Sequence, residues 1–377
     1  MSKIRTCSRC VMNDSSDSFI KFDENGFCNY CSTAIKRLKN EYFPNKLGEQ
    51  KLNELLERVK KEGKGKKYDC IMGLSGGLDS SYLAMLGYKW GLRVLAVHIN
   101  DGYDTEISKS NIKKLVEKTG FDYKEIIPDP IQFNALTLSF MKAGVPNIAI
   151  PQDNILIAFL YKQMRINKIK YFFCGTNLSL ESILQEGNSY KNTDLRNLID
   201  IHKHYYVAPI NKLSFISTNR LTIYHRLYHF HRCSPLNYVD YQRDRAFKEL
   251  NDFCGFEYYG SKHLENIFTA FVQLYWLPKK FNFDKRTSHL SSMIVSGQLS
   301  REDALTMLKQ PLYDENLMHE YIGVVCEKLG ISEEELDQCL HDTPHSHYDF
   351  KREDDLLLNR LKDWIITIRN KRISNNQ

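Results

Sequence analysis

The chain has 377 residues, enough for two or three domains of about 150 residues each. It has no run of about eighteen apolar residues and no apolar stretch near the N-terminus, so we expect neither a transmembrane helix nor a signal peptide. A net charge of +6 permits a polyanionic ligand but does not call for nucleic acid. Ten cysteines without a signal peptide favour metal binding in the reducing cytoplasm over disulfides, and we expect no membrane contact.

Residues 1–35 contain two C-x2-C pairs, Cys7 with Cys10 and Cys28 with Cys31. Each pair can present two thiolates to one ion, and two pairs complete a tetrahedron. The spacing between the pairs is typical of zinc sites and differs from the usual iron–sulfur patterns. Apolar residues at 19–22 before a turn at 23–26 predict a strand. We therefore predict a zinc ribbon or knuckle with a structural metal, because all four ligands are protein thiolates.

Residues 36–67 are predicted to form a helical linker. Leu52, Leu55, Leu56 and Val59 recur at helical spacing. The charged, Gly-broken run at 60–67 that follows indicates a solvated connection.

The next segment predicts an anion site between a strand at 68–73 and a helix that ends at Gly91. Backbone N–H groups at such a turn point inward, and the helix dipole favours negative charge there. Gly76 and Gly77 allow close approach of the backbone. Asp79 would repel a phosphate unless a cation lies between them, which predicts Mg²⁺. The residues expected to contact a nucleotide here are Leu74, Ser75, Gly76, Gly77, Asp79, Ser80 and Ser81.

The string S-G-G-x-D-S at 75–80 lacks the Lys of the G-x-x-x-x-G-K-[ST] loop. It resembles the PP-loop of the ATP pyrophosphatases, which adenylate an acyl or amide oxygen and release pyrophosphate. The resemblance implies that the loop holds the pyrophosphate that leaves, with Asp79 and Ser75 as catalytic residues.

Strands and helices alternate beyond this loop. Strands are predicted at 92–99, 123–127 and 169–174, and helices at 105–119, 131–143, 152–167, 194–201 and 218–231. This alternation predicts a doubly wound parallel α/β sheet, which we assign to a domain at 68–256. The active crevice is then expected at the carboxyl ends of the strands.

Two strand ends carry further candidates. In the family that the loop resembles, the second strand ends along the adenosine, which implies contacts from Val97, His98 and Asn100; His98 could equally be a satisfied buried residue. The segment from Gly175 and Thr176 to Glu181 resembles the G-T-x-x-x-x-E segment of amide-forming pyrophosphatases. That resemblance implies nucleotide contacts from Gly175 and Thr176, and a magnesium ion that Glu181 shares with Asp79. The alternative is that Glu181 only complements its helix dipole.

Residues 257–377 are assigned to a substrate-binding segment followed by helices. Cations interleave with aromatic residues here, which suits a phosphorylated or nucleotide-linked substrate. Ser300 and Ser332 begin predicted capping boxes before apolar helices. The predicted substrate residues are Lys262, His263, Glu265, Lys279, Lys280 and Arg286.

The strings G-x-K-H-x-E at 260–265 and L-P-K-K-F-x-F-D-K-R at 277–286, together with the loop and the four cysteines, resemble the N-acetyl sugar amidotransferases of surface-polysaccharide pathways. The resemblance implies that ATP adenylates the acetamido oxygen of a nucleotide-linked N-acetyl sugar and that ammonia then displaces AMP. Lys262 is included among the catalytic residues on this basis, and the expected cofactors are ATP, Mg²⁺ and structural Zn²⁺. Because the chain shows no glutaminase motif, we expect ammonia from a separate glutaminase, with a channel-forming partner similar to the histidine-pathway synthase pair.

Two other functions remain open. A PP-loop tRNA thiolase needs reactive cysteines in the core, and Cys174 before Gly175 is the candidate. Nucleic acid is not the expected partner, because basic and aromatic residues are not concentrated as in RNA-binding proteins. The third reading is a non-enzymatic zinc-ribbon adaptor that binds nucleotide.

Overall fold

A parallel sheet of five strands, in the order β3-β2-β1-β4-β5, lies at the centre of the computed structural model. The structure describes residues 4–15, 17, 19–258 and 264–356. The strands are β1 (Cys70–Gly73), β2 (Val94–Ile99), β3 (Asp122–Ile126), β4 (Tyr171–Phe173) and β5 (His231–Cys233). Because β1 pairs with both β2 and β4, the direction of winding reverses between β1 and β4. Open α/β sheets bind ligands at such a switch point, outside the carboxyl ends of the strands.

Ten helices precede or alternate with the strands in the described part of the chain. They are α1 (Asn29–Glu41), α2 (Lys46–Gly63), α3 (Leu78–Lys89), α4 (Glu106–Thr119), α5 (Pro130–Lys142), α6 (Ile150–Ile166), α7 (Leu178–Glu181), α8 (Leu195–His204), α9 (Thr218–Leu227) and α10 (Arg243–Cys254).

Side chains of the central strands alternate between two apolar cores. Met72 and Ala96 pack on one face with residues of α2, α3 and α10. Ile71 and Leu95 pack on the other face with residues of α6 and α9. Helices on both faces bury the inner strands β1, β2 and β4, which explains why these three read as continuous apolar runs. The predicted doubly wound parallel sheet is confirmed.

The C-terminal region is helical, as predicted. Its helices are α11 (Ile267–Phe271), α12 (Leu277–Phe281), α13 (Lys285–Val295), α14 (Arg301–Leu308), α15 (Glu315–Leu329) and α16 (Glu333–His341), with a π-helical turn at Val272–Trp276 between the first two. Four of them, α11, α12, α15 and α16, share the largest apolar core with α5 and α8. Trp276 lies fully buried in that core and donates a 3.1 Å hydrogen bond from Nε1 to the carbonyl of Val145. The sequence-based division at residue 256 therefore runs through elements that pack together.

Three local predictions were wrong. Residues 19–22 form no strand, because only Phe22 makes a bridge, with Cys28. The predicted helix at 218–231 ends at Leu227, since His229 has a positive φ of 52° and the next residues pair with β4. The capping box is complete at Ser332, whereas the side chain of Asp303 contacts the hydroxyl of Ser300 and not its backbone. Among the described helices, none has the length and apolarity needed to cross a bilayer.

Candidate active site

The loop at residues 74–81 joins β1 to α3 and is braced by its own serines. Ser75 N donates to Ser80 Oγ at 3.2 Å, and the two hydroxyl oxygens lie 3.1 Å apart. Gly76 has a φ of 75°, and a Cβ at this position would lie 2.6 Å from the carbonyl oxygen of Ser108. Only glycine fits both conditions. Gly76 is therefore required for the shape of the loop that leads into α3.

A crevice of about 340 Å³ opens at the carboxyl ends of β1 and β4, next to this loop. Most residues that the sequence predicted to bind nucleotide or magnesium line it: Leu74, Ser75, Gly77, Asp79, Ser80, Val97, His98, Gly175, Thr176 and Glu181. Three do not. Gly76 shapes the loop, Ser81 is buried within α3, and the side chain of Asn100 bonds to Gly102 N and Glu125.

Gly175 is the residue that brings the two turns of the crevice together. A Cβ on Gly175 would lie 3.1 Å from the carbonyl carbon of Asp79 and 3.1 Å from the amide nitrogen of Ser80. A side chain at this position would push the end of β4 away from the start of α3. With glycine, Asp79 and Glu181 line one crevice from opposite turns.

Asp79 is oriented by a residue distant in sequence. The hydroxyl of the fully buried Tyr241 donates to Asp79 Oδ1. The Tyr241 ring packs on Tyr82 with centroids 5.3 Å apart. Mg²⁺ commonly takes one or two carboxylates and completes its shell with phosphate and water. Asp79 and Glu181 have the chemistry for this, and their magnesium role stays a prediction.

Among the charged side chains of the crevice, acidic ones outnumber basic ones. Its described lining contains a single arginine or lysine, Arg243, and five carboxylates: Asp79, Asp104, Asp153, Glu181 and Glu265. Such a lining would repel a free polyphosphate. Bound divalent cations invert the local charge, so the crevice suits a metal–polyphosphate complex.

His98 lies at the end of β2, below the loop. Its Nδ1 is 2.7 Å from the carbonyl oxygen of Leu74, and its Nε2 is 2.8 Å from Asp104 Oδ2. Because both partners accept hydrogen bonds, the ring donates from both nitrogens and is protonated. Burial lowers the pKa of His98, but Asp104 and the Leu74 carbonyl outweigh it and the pKa is raised. His98 thus ties β2 to the loop and has no ring nitrogen left for a nucleotide.

We predict that Asp104→Asn loses stability chiefly at low pH. A raised pKa in the folded state gives stability that is complete below about pH 6.5 and disappears as pH rises through the folded-state value. Urea unfolding at several pH values should therefore show wild type and variant converging as pH increases. Asp101, whose pKa is raised to about 6 by burial and in part by the charge of Asp104, is also affected by the substitution. A constant difference across pH would contradict the charged His98–Asp104 pair.

The four N-terminal cysteines form a candidate metal centre. Their sulfur atoms all lie within 4.8 Å of one another, and all four residues are buried. The Cys7–Cys31 and Cys10–Cys28 sulfur pairs are 3.8 and 3.7 Å apart. A tetrahedron with Zn–S bonds of about 2.3 Å has edges of about 3.8 Å, so the donor set fits zinc. Backbone N–H groups of Cys10 and Cys28 point at Cys7 Sγ, at 3.5 and 3.2 Å.

This metal knuckle (residues 7–31) packs beside α7, the short helix that ends at Glu181. Arg301 donates to the carbonyl oxygens of Cys7 and Cys10. The cysteines share a small apolar core with Ile183, which follows α7 directly, and with the end of α13. The knuckle therefore lies behind the crevice and does not line it.

Two family models match separate segments of the chain. Residues 49–184 match the model described as NAD synthase. Residues 265–364 match the model described as LPS biosynthesis protein WbpG-like, C-terminal domain. Together the two matches support a PP-loop family of the N-acetyl sugar amidotransferase type. The first match contains the PP-loop and the turn at 175–181, and its fold is the PP-loop, NAD-synthase-like fold that the sequence predicted.

Solved structures give a weaker likeness to this PP-loop protein. NMN synthetase from Francisella tularensis is 13% identical, with 58% of this chain and 99% of that chain covered and a TM-score of 0.30. NH3-dependent NAD synthetase from Campylobacter jejuni is 15% identical, with 55% and 93% covered and a TM-score of 0.29. NAD+ synthetase from Burkholderia pseudomallei is 11% identical, with 62% and 95% covered and a TM-score of 0.30. No curated protein matches the chain.

The predicted substrate residues separate into three groups. Lys262 and His263 lie outside the described residues. Glu265 lines the crevice. Lys279, Lys280 and Arg286 are not brought to it. Lys280 Nζ donates to the carbonyl oxygens of Cys339, Leu340 and Asp342 at the end of α16.

Lys279 lies over the ring of Tyr275, 5.8 Å from its centroid. Arg286 forms a fork with Asp284 and donates to the carbonyl of Gln310 at 3.0 Å. Lys280 and Arg286 therefore bond to backbone carbonyls at a helix end and in a turn. None of these three cations lines the crevice, and their contact with substrate stays a prediction.

Several crevice residues had no signal in the sequence. Tyr241 reaches Asp79, and Arg243 and Tyr258 line the crevice with their side chains in contact. Long-range packing of α10 against α3 brings them there. Asn266 could have been found, because it caps α11 next to the predicted Glu265.

Proposed function

We propose that this protein is an ATP-dependent amidotransferase that converts the acetamido group of a nucleotide-linked N-acetyl sugar into an acetamidino group. The product would serve bacterial surface-polysaccharide or glycan biosynthesis. One observation carries the proposal: a single crevice is lined by residues from both matched segments. Ser75, Asp79 and Glu181 come from the NAD-synthase match, and Glu265, Asn266 and Thr269 come from the WbpG-like match.

The chemistry that this crevice supports begins with ATP, whose pyrophosphate would lie against the PP-loop. The acetamido oxygen attacks the α-phosphorus, pyrophosphate leaves, and the oxygen becomes part of a good leaving group. Ammonia then attacks the carbon, and AMP departs with that oxygen. Mg²⁺, held by Asp79 and Glu181, would neutralise the charge that grows on the pyrophosphate.

The chain's own groups would position the reactants. Loop N–H groups and the hydroxyls of Ser75 and Ser80 offer donors to the departing pyrophosphate. Arg243, at the rim with Tyr258, is suited to a phosphate of the nucleotide-linked sugar. Lys262, predicted from the resemblance, would add a second cation.

Ammonia would come from a separate glutaminase subunit, with a channel-forming partner. An enzyme that uses ATP and a thiolate metal site would work in the cytoplasm, where thiols are reduced. Both statements rest on the family resemblance, and neither membrane nor nucleic acid is part of the proposal.

The test is incubation with ATP, Mg²⁺, ammonium and a panel of nucleotide-linked N-acetyl sugars, with the products read by mass. The product should be lighter than its substrate by the difference between an oxygen atom and an NH group, with equal amounts of AMP and pyrophosphate. A protein that binds ATP but gives no AMP with any sugar would be an adaptor and would contradict the proposal.

A tRNA thiolase is the second candidate, and one observation favours it. Cys174 lines the crevice, and Arg232 Nη2 lies 3.2 Å from its sulfur and 3.2 Å from Thr176 Oγ1. A thiolase needs a cysteine sulfur in the crevice, and Cys174 supplies one there.

We predict that Cys174→Ala keeps most of its ammonia-dependent AMP formation, because ammonia and not a thiolate is the nucleophile. The packing loss should be about 1–2 kcal/mol. AMP formation is measured with wild type and variant side by side, after thermal melts show that both are folded. A folded variant without activity would contradict the amidotransferase proposal and favour the tRNA thiolase.

A further inference from the structure

The carboxylate of Glu265 lies beside the PP-loop, and only one of its two oxygens has a hydrogen-bond partner. Glu265 is only 9% exposed, and its Oε1 accepts a 3.3 Å hydrogen bond from Ser75 Oγ. Its Oε2 is buried and has no hydrogen-bond partner. No other bond or ion pair of this side chain is found in the described part of the chain. Buried carboxylates are normally paired, because leaving one without a partner is costly.

The backbone holds this carboxylate against the loop. The amide and the hydroxyl of Thr105 both donate to the carbonyl oxygen of Glu265, at 3.1 and 3.2 Å. The next residue, Asn266, donates from Nδ2 to Asp101, and Ile267 N donates to the carbonyl of Tyr103. These bonds fix the start of α11 on the loop that precedes α4. The position of Glu265 is thus built into the fold.

Gly77 shows how closely the carboxylate approaches the anion-binding backbone. A Cβ on Gly77 would lie 2.6 Å from Glu265 Oε1 and 3.0 Å from Ser75 Oγ. Gly77 caps the N-terminus of α3, whose N–H groups favour an anion. A phosphate bound there would meet the negative charge of Glu265. The two are compatible only if a cation lies between them.

The cation that Glu265 would serve differs from the one predicted at Asp79 and Glu181. Gly175 places Asp79 on the β4 side of the loop, whereas Thr105 places Glu265 on the α4 side. Among the described residues, the four cysteines are the only group of three or more potential ligands whose donor atoms lie within 4.8 Å of one another. The donor atoms of Asp79, Glu181 and Glu265 are therefore not gathered within 4.8 Å of one another, as three ligands of one ion would be.

We propose that Glu265 binds a second divalent cation, which bridges its carboxylate to the polyphosphate on the PP-loop. Oxygen ligands and a phosphate partner suit Mg²⁺, with water filling the remaining positions. The inference rests on the proposed function in that it takes a polyphosphate as the loop's ligand. It gives Glu265 a metal-binding role in place of a contact with the sugar.

The test measures metal binding rather than turnover. Equilibrium dialysis of Mn²⁺ against the full-length, zinc-loaded protein, with saturating inorganic pyrophosphate, is compared for wild type and Glu265→Gln. Pyrophosphate binding is also measured calorimetrically without divalent metal. The matched control is Glu106→Gln, which removes a carboxylate from the first turn of α4 where the side chain is 90% exposed.

We expect Glu265→Gln to weaken one class of Mn²⁺ site by about tenfold or more, while metal-free pyrophosphate binding is unchanged or tighter. The control should match wild type. Glu265→Asp keeps the negative charge but moves it away from the loop by one methylene group. Its Mn²⁺ affinity should lie between those of the Gln variant and the control, and it tests the metal role if the Gln variant does not fold. Mn²⁺ binding equal to that of the control would overturn the inference. So would a variant that only tightens metal-free pyrophosphate binding, because Glu265 would then merely compete with the anion.

The two proposals can fail separately. Sugar conversion by a protein whose Glu265→Gln variant binds Mn²⁺ like wild type would leave the function standing and remove the metal role. Loss of a Mn²⁺ site in a protein that converts no N-acetyl sugar would do the reverse. A wild-type protein that binds no pyrophosphate with Mn²⁺ would remove both.

Discussion

Asp79→Asn is expected to lower pyrophosphate release by about a hundredfold or more, with the fold intact. The substitution removes the negative charge that a magnesium ion needs but keeps an oxygen that can accept the hydrogen bond of Tyr241. Asp79 lines the crevice and is not part of an apolar core. The measurement is sugar-dependent pyrophosphate release, with a thermal melt as the control for folding.

Tyr241→Phe should show a smaller loss of activity than Asp79→Asn, because Asp79 keeps its charge. This substitution keeps the buried ring that packs on Tyr82 and removes only the hydroxyl that orients Asp79. Loss of such an orienting bond should weaken the apparent Mg²⁺ affinity by about tenfold, with most activity recovered at high Mg²⁺. Wild-type turnover by folded Asp79→Asn would refute the PP-loop assignment itself.

Cys28→Ser should cause the largest loss of stability among these variants. Cys28 supplies one of four buried sulfurs, and its own sulfur also accepts the N–H of Cys31 at 3.3 Å. Structural zinc contributes folding free energy directly, since the unfolded chain has no preformed site. We therefore expect one zinc per wild-type chain, no tightly held zinc in the variant, and early unfolding of the metal knuckle.

ATP binding should suffer less than the knuckle in Cys28→Ser, because the knuckle lies behind α13 and not in the crevice. Metal analysis and hydrogen exchange of residues 4–35 measure the first effect, and ATP titration measures the second. Cys254→Ser is a suitable control, because Cys254 is a half-buried cysteine outside the metal centre. Iron with a visible absorption band, or no metal at all in wild type, would contradict the zinc assignment.

The sequence was most informative where chemistry is local. The PP-loop, the turn at 175–181 and the C-x2-C pairs each span only a few residues. Their residue types therefore determine the local backbone conformation and the available ligands directly. Gly76 is an example: its positive φ and its contact with Ser108 both demand the glycine that the motif contains. The doubly wound sheet followed from the alternation of buried strands with helices in the same way.

The sequence was least informative where tertiary contacts decide a side chain's use. Lys280 and Arg286 have the composition of a phosphate site, yet they bond to backbone carbonyls and to Asp284. Tyr241 is 162 positions from its partner Asp79, and no local pattern marks it. The three-residue strand β5 is too short to show a period and depends on pairing with β4.

The most direct test of the proposed reaction follows one atom. An N-acetyl sugar nucleotide labelled with the heavy isotope of oxygen in its acetamido group is incubated with ATP, Mg²⁺ and ammonium, and the AMP is read by mass. Attack of that oxygen on the α-phosphorus, followed by displacement of AMP by ammonia, predicts that the label appears in AMP and that the sugar product has lost it. AMP without the label, alongside a sugar that keeps its oxygen, would contradict the account.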